Sequence, residues 1–493
     1  MAVAQALQTV TDRKGALAIG LAGAGASLLA IRLLLRSRVD RFREVPGSWF
    51  LGVLPELGPG GKLITQKLEE WSDAYGEEGV FEMNLAGSRT VVCCSWEQAQ
   101  PILSRRPHKM PKNWRLQNVV DIIAGSFFSE GERWKRERRV LSPAFSRKNV
   151  ESYVPAVEHV TQQLLRELGR DVSTKGEANF SELLPLYTAD VICKTALGQE
   201  LRMLETRSSD IVDDVKAFFH ALQSRMYAPL PYWKIPGLAR LFDHGAEVSR
   251  RFYSRSEQIM QNAKSGGRSI AEKLRDMDGD KFSHGELMDN LTVLFVAGTD
   301  TTSLALCWAL YYLSQDLELQ AAVADEVKSL PDEELSLAEA ESLPLVQAVW
   351  LETLRCHGPG SFLDFQSTEE VTLAGRKVPA GTEFYVAIRN ILKKDPEVKK
   401  KLGDDLHDFR PSRWLGPEGI VKHPPFDTLA FGYGPRICLG MRLAEYEGLL
   451  VIAKVVQKFV LEKWDKPPLE ETTSFVSNEP TTPVSIKIRP RTW

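Results

Sequence analysis

Phe431-Gly432-Tyr433-Gly434-Pro435-Arg436-Ile437-Cys438-Leu439-Gly440 presents one cysteine from a glycine-rich turn and leads directly into an apolar, helix-forming run, 441–456. Gly434 and Gly440 permit backbone angles that other residues resist. Arg436 puts a fixed positive charge beside Cys438, and the first amides of the following helix face its sulfur. Both effects favour a thiolate over a thiol. A thiolate held in this way can ligate a metal or attack as a nucleophile. A glycine-flanked cysteine can also be inert packing, and the loop by itself leaves these readings open.

Three other segments hold side chains where they are costly or paired. Ser283 and Glu286 are spaced as a capping box, and a helical pattern free of proline runs from there to Leu313, about 45 Å at 1.5 Å per residue. Its apolar middle is broken by Ala297-Gly298-Thr299-Asp300-Thr301-Thr302. Such polar groups inside a long apolar helix cost stability unless they are paired or used. Threonine hydroxyls bonding back to carbonyls bend a helix. Trp134 and Arg138 lie four apart in Gly131-Glu132-Arg133-Trp134-Lys135-Arg136-Glu137-Arg138-Arg139, so they share one helix face. Glu352 and Arg355 lie three apart on a predicted helix over 345–356, with Phe409-Arg410-Pro411-Ser412-Arg413-Trp414 downstream.

These motifs, in this order, resemble the cytochrome P450 family. Phe431, Gly434, Arg436, Cys438 and Gly440 match its haem loop F-x-x-G-x-R-x-C-x-G. Trp134 and Arg138 match WxxxR, residues 297–302 match A/G-G-x-D/E-T-T, and Glu352 and Arg355 match ExxR. The resemblance implies a mainly α fold with a small β region, built as a single large haem domain. It implies haem b with Cys438 as the axial iron ligand, whose electron donation favours O–O cleavage. It gives Trp134, Arg138 and Arg436 to the propionates, and Ala297 and Phe431 to the haem surroundings. Asp300 and Thr301 would manage oxygen and protons, with Gly298 leaving room for the oxygen. Arg413 would complete an ion triad with Glu352 and Arg355 that serves folding. Two departures stand out. Gly358-Pro359-Gly360 replaces a frequent Pro-Pro, and Phe365-Gln366 stands where an Arg or His often serves a propionate.

The implied activity is O2-dependent insertion of one oxygen atom into a lipophilic substrate, whether fatty acid, sterol, terpenoid or carotenoid. No G-x-G-x-x-G follows a strand, so no NAD or flavin module is expected. Electrons would come from a separate NADPH-dependent reductase, of flavoprotein or ferredoxin type. Arg133, Lys135, Arg136 and Arg139 could dock an acidic partner, or form an ordinary solvated surface. Peroxide isomerases or dehydratases of this family tend to lack the acid–threonine pair, so Asp300-Thr301 argues against that alternative. A non-catalytic haem sensor is the other.

The 493 residues are 43% hydrophobic and 26% charged, with a net charge of -3, which gives no reason to expect nucleic acid as a partner. Six cysteines without a CxxC pair are no disulfide framework. Residues 15–31 are uninterruptedly apolar, and Leu33-Leu34-Leu35 extend them past Arg32. That is about the 20 residues needed to span a bilayer. Arg36, Arg38, Arg41 and Arg43 follow, so the charge bias puts the remainder in the cytosol. The expectation is a membrane anchor over 1–43 and a catalytic domain over 44–493, at the endoplasmic reticulum. A plastid or mitochondrion is the alternative. Residues 226–242 combine aromatics and prolines, and are expected to form an apolar patch that touches membrane lipid, with Tyr232 and Trp233 among its contacts.

Overall fold

Ile64, Leu68 and Trp71 recur at helical spacing, and they form the buried face of helix α1 (Ile64–Tyr75). The structure is a computed structural model; it describes residues 41–493 except 118, 120, 121, 236, 262–268, 277–281, 333 and 476. Ala86 and Gly87 then take φ of 46° and 91°. This reverses the chain in two residues, so β1 (Val80–Leu85) pairs antiparallel with β2 (Ser88–Cys93).

A helical body follows: α2 (Gly131–Leu141), α3 (Val154–Lys175), α4 (Phe180–Ile192), α5 (Asp210–Met226), α6 (Gly245–Gln261) and α7 (His284–Gln315). Ser283 accepts from Glu286 N while the Glu286 carboxylate accepts from Ser283 N, so the predicted capping box opens α7. α7 is long and apolar enough to cross a membrane. It is instead a core helix, packed against α4, α6 and α8 (Pro344–His357). The apolar stretch 15–35 lies outside the described residues.

β3 (Leu363–Gln366) and β4 (Glu383–Val386) complete a four-stranded sheet in the order β1-β2-β4-β3, with β2 and β4 parallel. The cysteine loop leads into α9 (Met441–Lys458), after which β5 (Glu471–Ser474) and β6 (Ser477–Pro480) form a hairpin. β6 touches α7. The architecture is mainly α with a small β region, as the motif resemblance implies.

Glu352 anchors the cysteine side. Fully buried, it accepts from Arg355 Nε and Nη2 at 2.8 Å each, from Arg413 Nε at 2.9 Å and from Trp414 Nε1 at 2.9 Å. Arg355 also donates to the carbonyl of Leu406 at 2.7 Å. A buried ionic group is tolerated when its partners are all present. Here the triad joins α8 to the segment running toward the cysteine loop.

Candidate active site

Gly432 and Gly434 turn the cysteine loop with φ of 89° and 68°. Gly440, expected to need an unusual angle, has an ordinary φ of −84° and caps α9. The loop is closed by Cys438 N donating to Phe431 O at 2.8 Å. Phe431 thereby fixes the direction in which the cysteine points. Cys438 keeps accessible surface, yet it lies deep enough that burial pushes its thiol pKa up. A side chain both deep and accessible borders a hollow. The backbone N–H groups of Gly440 and Met441 beside the sulfur oppose the burial effect, and so does the charge of Arg138. The predicted amides are therefore in place, but the cation that counts is Arg138 from α2 rather than Arg436.

α2 docks on this loop with both residues of its WxxxR. Arg138 Nη2 donates to Ile437 O at 2.9 Å. Trp134 lies under the Arg436 guanidinium, 4.3 Å from its ring centre. Arg436 also reaches the N-terminus of α2, donating to Ser129 O at 2.9 Å and to Glu130 at 2.5 Å. Three further cations of α2 are ion-paired. Arg133 pairs with Glu137 and Asp289, Lys135 with Glu132, and Arg136 with Glu286. The acids supplied by α7, Asp289 and Glu286, were invisible at the level of α2 alone.

Ala297 is exposed in the middle of the buried helix α7, and Leu294, Thr301 and Leu304 are partly accessible on the same face. This stripe opens a second hollow-facing surface. Thr301 Oγ1 donates to Ala297 O at 2.8 Å, and Thr299 Oγ1 to Phe295 O at 2.8 Å, the back-bonding expected of these hydroxyls. The expected role of Gly298 changes. A Cβ there would meet Ile192 Cδ1 at 3.1 Å, so the glycine admits α4 rather than leaving space over the cavity. Burial raises the Asp300 carboxyl pKa to about 6; nearby Ser477 and Lys216 oppose this, and Glu479 adds to it. Asp300 Oδ2 and Ser477 Oγ are both buried without a partner among the described residues.

Residues ahead of α2 also belong to this site, and the motifs missed them. Lys112 and Arg106 are buried beside Arg436. Lys112 N donates to Glu130 Oε1 at 3.0 Å, and Arg106 Nε is buried without a partner among the described residues. The signal was the basic run Arg105-Arg106-Pro107-His108-Lys109-Met110-Pro111-Lys112. Two surface hollows, of about 440 and 220 Å³, lie elsewhere and include no candidate-site residue.

A haem fits these residues. One sulfur is aimed by a loop closed on Phe431 O, and a cluster of cations stands beside it, as a group with two carboxylates requires. The cytochrome P450 family model matches residues 44–486. Among the chain's relatives are CYP13A5 of Caenorhabditis elegans, 25% identical over 90% of this chain and 93% of that protein, and cytochrome P450 4d1 of Drosophila melanogaster, 24% identical over 94% and 97%. Human mitochondrial sterol 26-hydroxylase is 28% identical over 69% and 67%. The chain belongs to the cytochrome P450 family: it is a haem-iron monooxygenase that takes electrons from a redox partner and acts on lipophilic substrates.

Proposed function

We propose that Cys438 is the axial ligand of haem b in a monooxygenase that hydroxylates or epoxidises a fatty acid, sterol, terpenoid or carotenoid. The carrying observation is an accessible sulfur on a loop closed by Cys438 N donating to Phe431 O, with Arg138 docked on the neighbouring Ile437 carbonyl. Bound haem supplies the O2 activation and one-electron chemistry that amino acids lack. The chain's residues do the rest. Phe431 O holds the Cys438 amide and so aims its sulfur. Trp134, Arg138 and Arg436 make a cationic and indole N–H rim suited to propionate carboxylates. Thr301 Oγ1 gives its hydrogen to Ala297 O and keeps its lone pairs toward the hollow-facing stripe. Asp300, with a pKa near 6, can take and release a proton at physiological pH.

Residues 44–493 are proposed as the catalytic domain and 1–43 as its membrane anchor, at the endoplasmic reticulum. A mitochondrial placement is the second reading, because one relative is a mitochondrial enzyme. An NADPH-dependent reductase, flavoprotein or ferredoxin in type, is the proposed electron source. The sterol hydroxylase among the relatives supports the lipophilic substrate class as a whole.

The test is the reduced, carbon-monoxide-bound absorption spectrum of the wild type and of Cys438→Ala, followed by substrate-driven NADPH and O2 consumption with added reductase. The reading requires a thiolate-type spectrum that the substitution abolishes. A substituted protein that kept both spectrum and turnover would refute it.

A further inference from the structure

We propose that Lys112, supported by Arg106, is the cationic partner of a haem propionate in this chain, standing in for the Arg or His that position 366 often supplies in the family. The inference rests on the haem reading above.

Gln366 does not fill the role. Its side-chain Nε2 donates to Gly381 O at 3.0 Å, which turns the amide along the sheet edge. Its backbone N–H donates to Pro111 O at 2.9 Å. The strand that carries position 366 therefore holds the residue just before Lys112, and Lys112 is its spatial neighbour. Arg106 lies over the Phe365 ring at 4.3 Å, beside the same strand.

The charges around Lys112 do not balance. Glu130 spends one oxygen on Lys112 N and the other on Arg436. Asp364, on β3, is the other nearby acid; burial raises its pKa while the charge of Lys112 opposes this, and its buried Oδ2 has no hydrogen-bond partner among the described residues. Among Arg106, Lys112 and Arg436, the one carboxylate held by hydrogen bonds within the described residues is Glu130. Lys112 is 8% exposed, and the contact of its Nζ among the described residues is the Phe127 ring at 3.6 Å. A buried ammonium with no carboxylate at hydrogen-bond distance is costly, and burial together with Arg436 and Arg106 lowers its pKa. A carboxylate arriving beside Lys112, between Arg106 and Arg436, would relieve all three cations. Arg436 joins this cluster to the cysteine loop, on the side where Trp134 already stands.

The experiment uses the full-length holoenzyme. Haem transfer to excess apomyoglobin is followed for wild type, Lys112→Met, Lys112→Arg and the double variant Lys112→Met/Gln366→Arg. Lys112→Met should lose haem about tenfold faster, equivalent to about 1.4 kcal/mol. Lys112→Arg should stay near wild type, and the added Gln366→Arg should restore retention. The haem-free form of Lys112→Met should melt no lower than wild-type apoprotein, because it has lost an unmatched charge.

Wild-type haem retention in Lys112→Met would overturn the inference. So would faster loss with an equally lowered apoprotein melting point and no rescue by Gln366→Arg, which assigns Lys112 to loop packing. A substrate carboxylate is the competing anion. Unchanged haem loss with weaker binding of dodecanoate than of dodecanol, read from Soret shifts, would assign Lys112 to it and overturn the inference. If the wild type itself lacked the thiolate-type spectrum, the haem reading would fall as well. If it kept that spectrum, only the role of Lys112 would be lost.

Discussion

Thr301 and Glu447 are polar groups in unlike settings, the first proposed for chemistry and the second buried with one carboxylate oxygen unpartnered among the described residues. Thr301 bonds back to Ala297 on the accessible stripe of α7, next to Asp300. Thr301→Ala should leave folding and substrate-driven NADPH consumption largely intact while diverting electrons to hydrogen peroxide. Peroxide and product measured per NADPH decide this, and an unchanged product yield would remove Thr301 from the mechanism. Glu447, on α9, is 4% exposed with Oε2 unpartnered among the described residues, and burial raises its pKa from 4.5 to about 8. The folded chain therefore keeps a proton that the unfolded chain gives up as pH rises from 4.5 to about 8. Stability contributed at low pH is lost across that window. Glu447→Gln should match wild type at pH 5 and exceed it at pH 8.5 by at least about 1 kcal/mol, roughly one pKa unit's worth. Parallel melting-temperature profiles for the two proteins would show that Glu447 does not titrate in this window.

At the scale of elements, what could be read from the sequence was local. The capping box of α7, the Ala86-Gly87 reversal and the Glu352–Arg355 pair each depend on residues within a few positions, and each formed. The cysteine loop was legible because its constraint is carried by the loop itself. Misreadings arose where a partner comes from far along the chain. Two acids that pair with cations of α2, Glu286 and Asp289, lie some 150 positions away, on α7. Lys112 and Arg106 carried no motif; the strand holding Gln366, and Glu130 ahead of α2, bring this segment to the site. Gly298 looked like space for a small ligand because spacing along a helix does not say which neighbour crosses it. The contact with Ile192 gives that glycine a packing role with a measurable consequence. Gly298→Val should force α4 and α7 apart at a cost of about 1–3 kcal/mol. The paired Gly298→Val/Ile192→Ala variant, which opens the facing side, should recover part of the loss. If the single variant melted like wild type, the close approach of α4 would not depend on that glycine.

For the molecule as a whole, the membrane anchoring proposed above calls for an apolar surface beyond residues 1–43. The segment after α5 does expose apolar side chains, but not the pair singled out by composition. Tyr232 Oη donates to Asp243 at 2.6 Å, and Asp243 is ion-paired to buried Arg225, whose guanidinium faces the Trp233 ring at 5.4 Å. Those aromatics hold the loop together. The residues that face outward are Leu230, Ile235, Leu241 and Phe242, all more than half exposed. Trp49 and Phe50 are also exposed, at 83% and 55%. They lie in the segment that leads to Gly61, which fits against Tyr227 at the end of α5 so closely that a Cβ at Gly61 would meet the ring at 2.4 Å. That contact, together with Arg115 donating to both Met226 O and Leu85 O where Gly52 pairs with Leu85, ties the N-terminal segment to the end of α5. Each side chain buried in lipid is worth about 1.5–3 kcal/mol, so four together can hold a domain on a bilayer without any spanning helix. A protein lacking residues 1–43 should still float with liposomes. Leu230→Ser, Ile235→Ser, Leu241→Ser and Phe242→Ser combined should release it while leaving the melting temperature within a few degrees of the parent. Tyr232→Phe serves as the internal comparison: it weakens the Asp243 contact without removing exposed apolar surface, so its flotation should match the parent. If the fourfold variant floated as well as the parent, this face would not be the one that meets lipid.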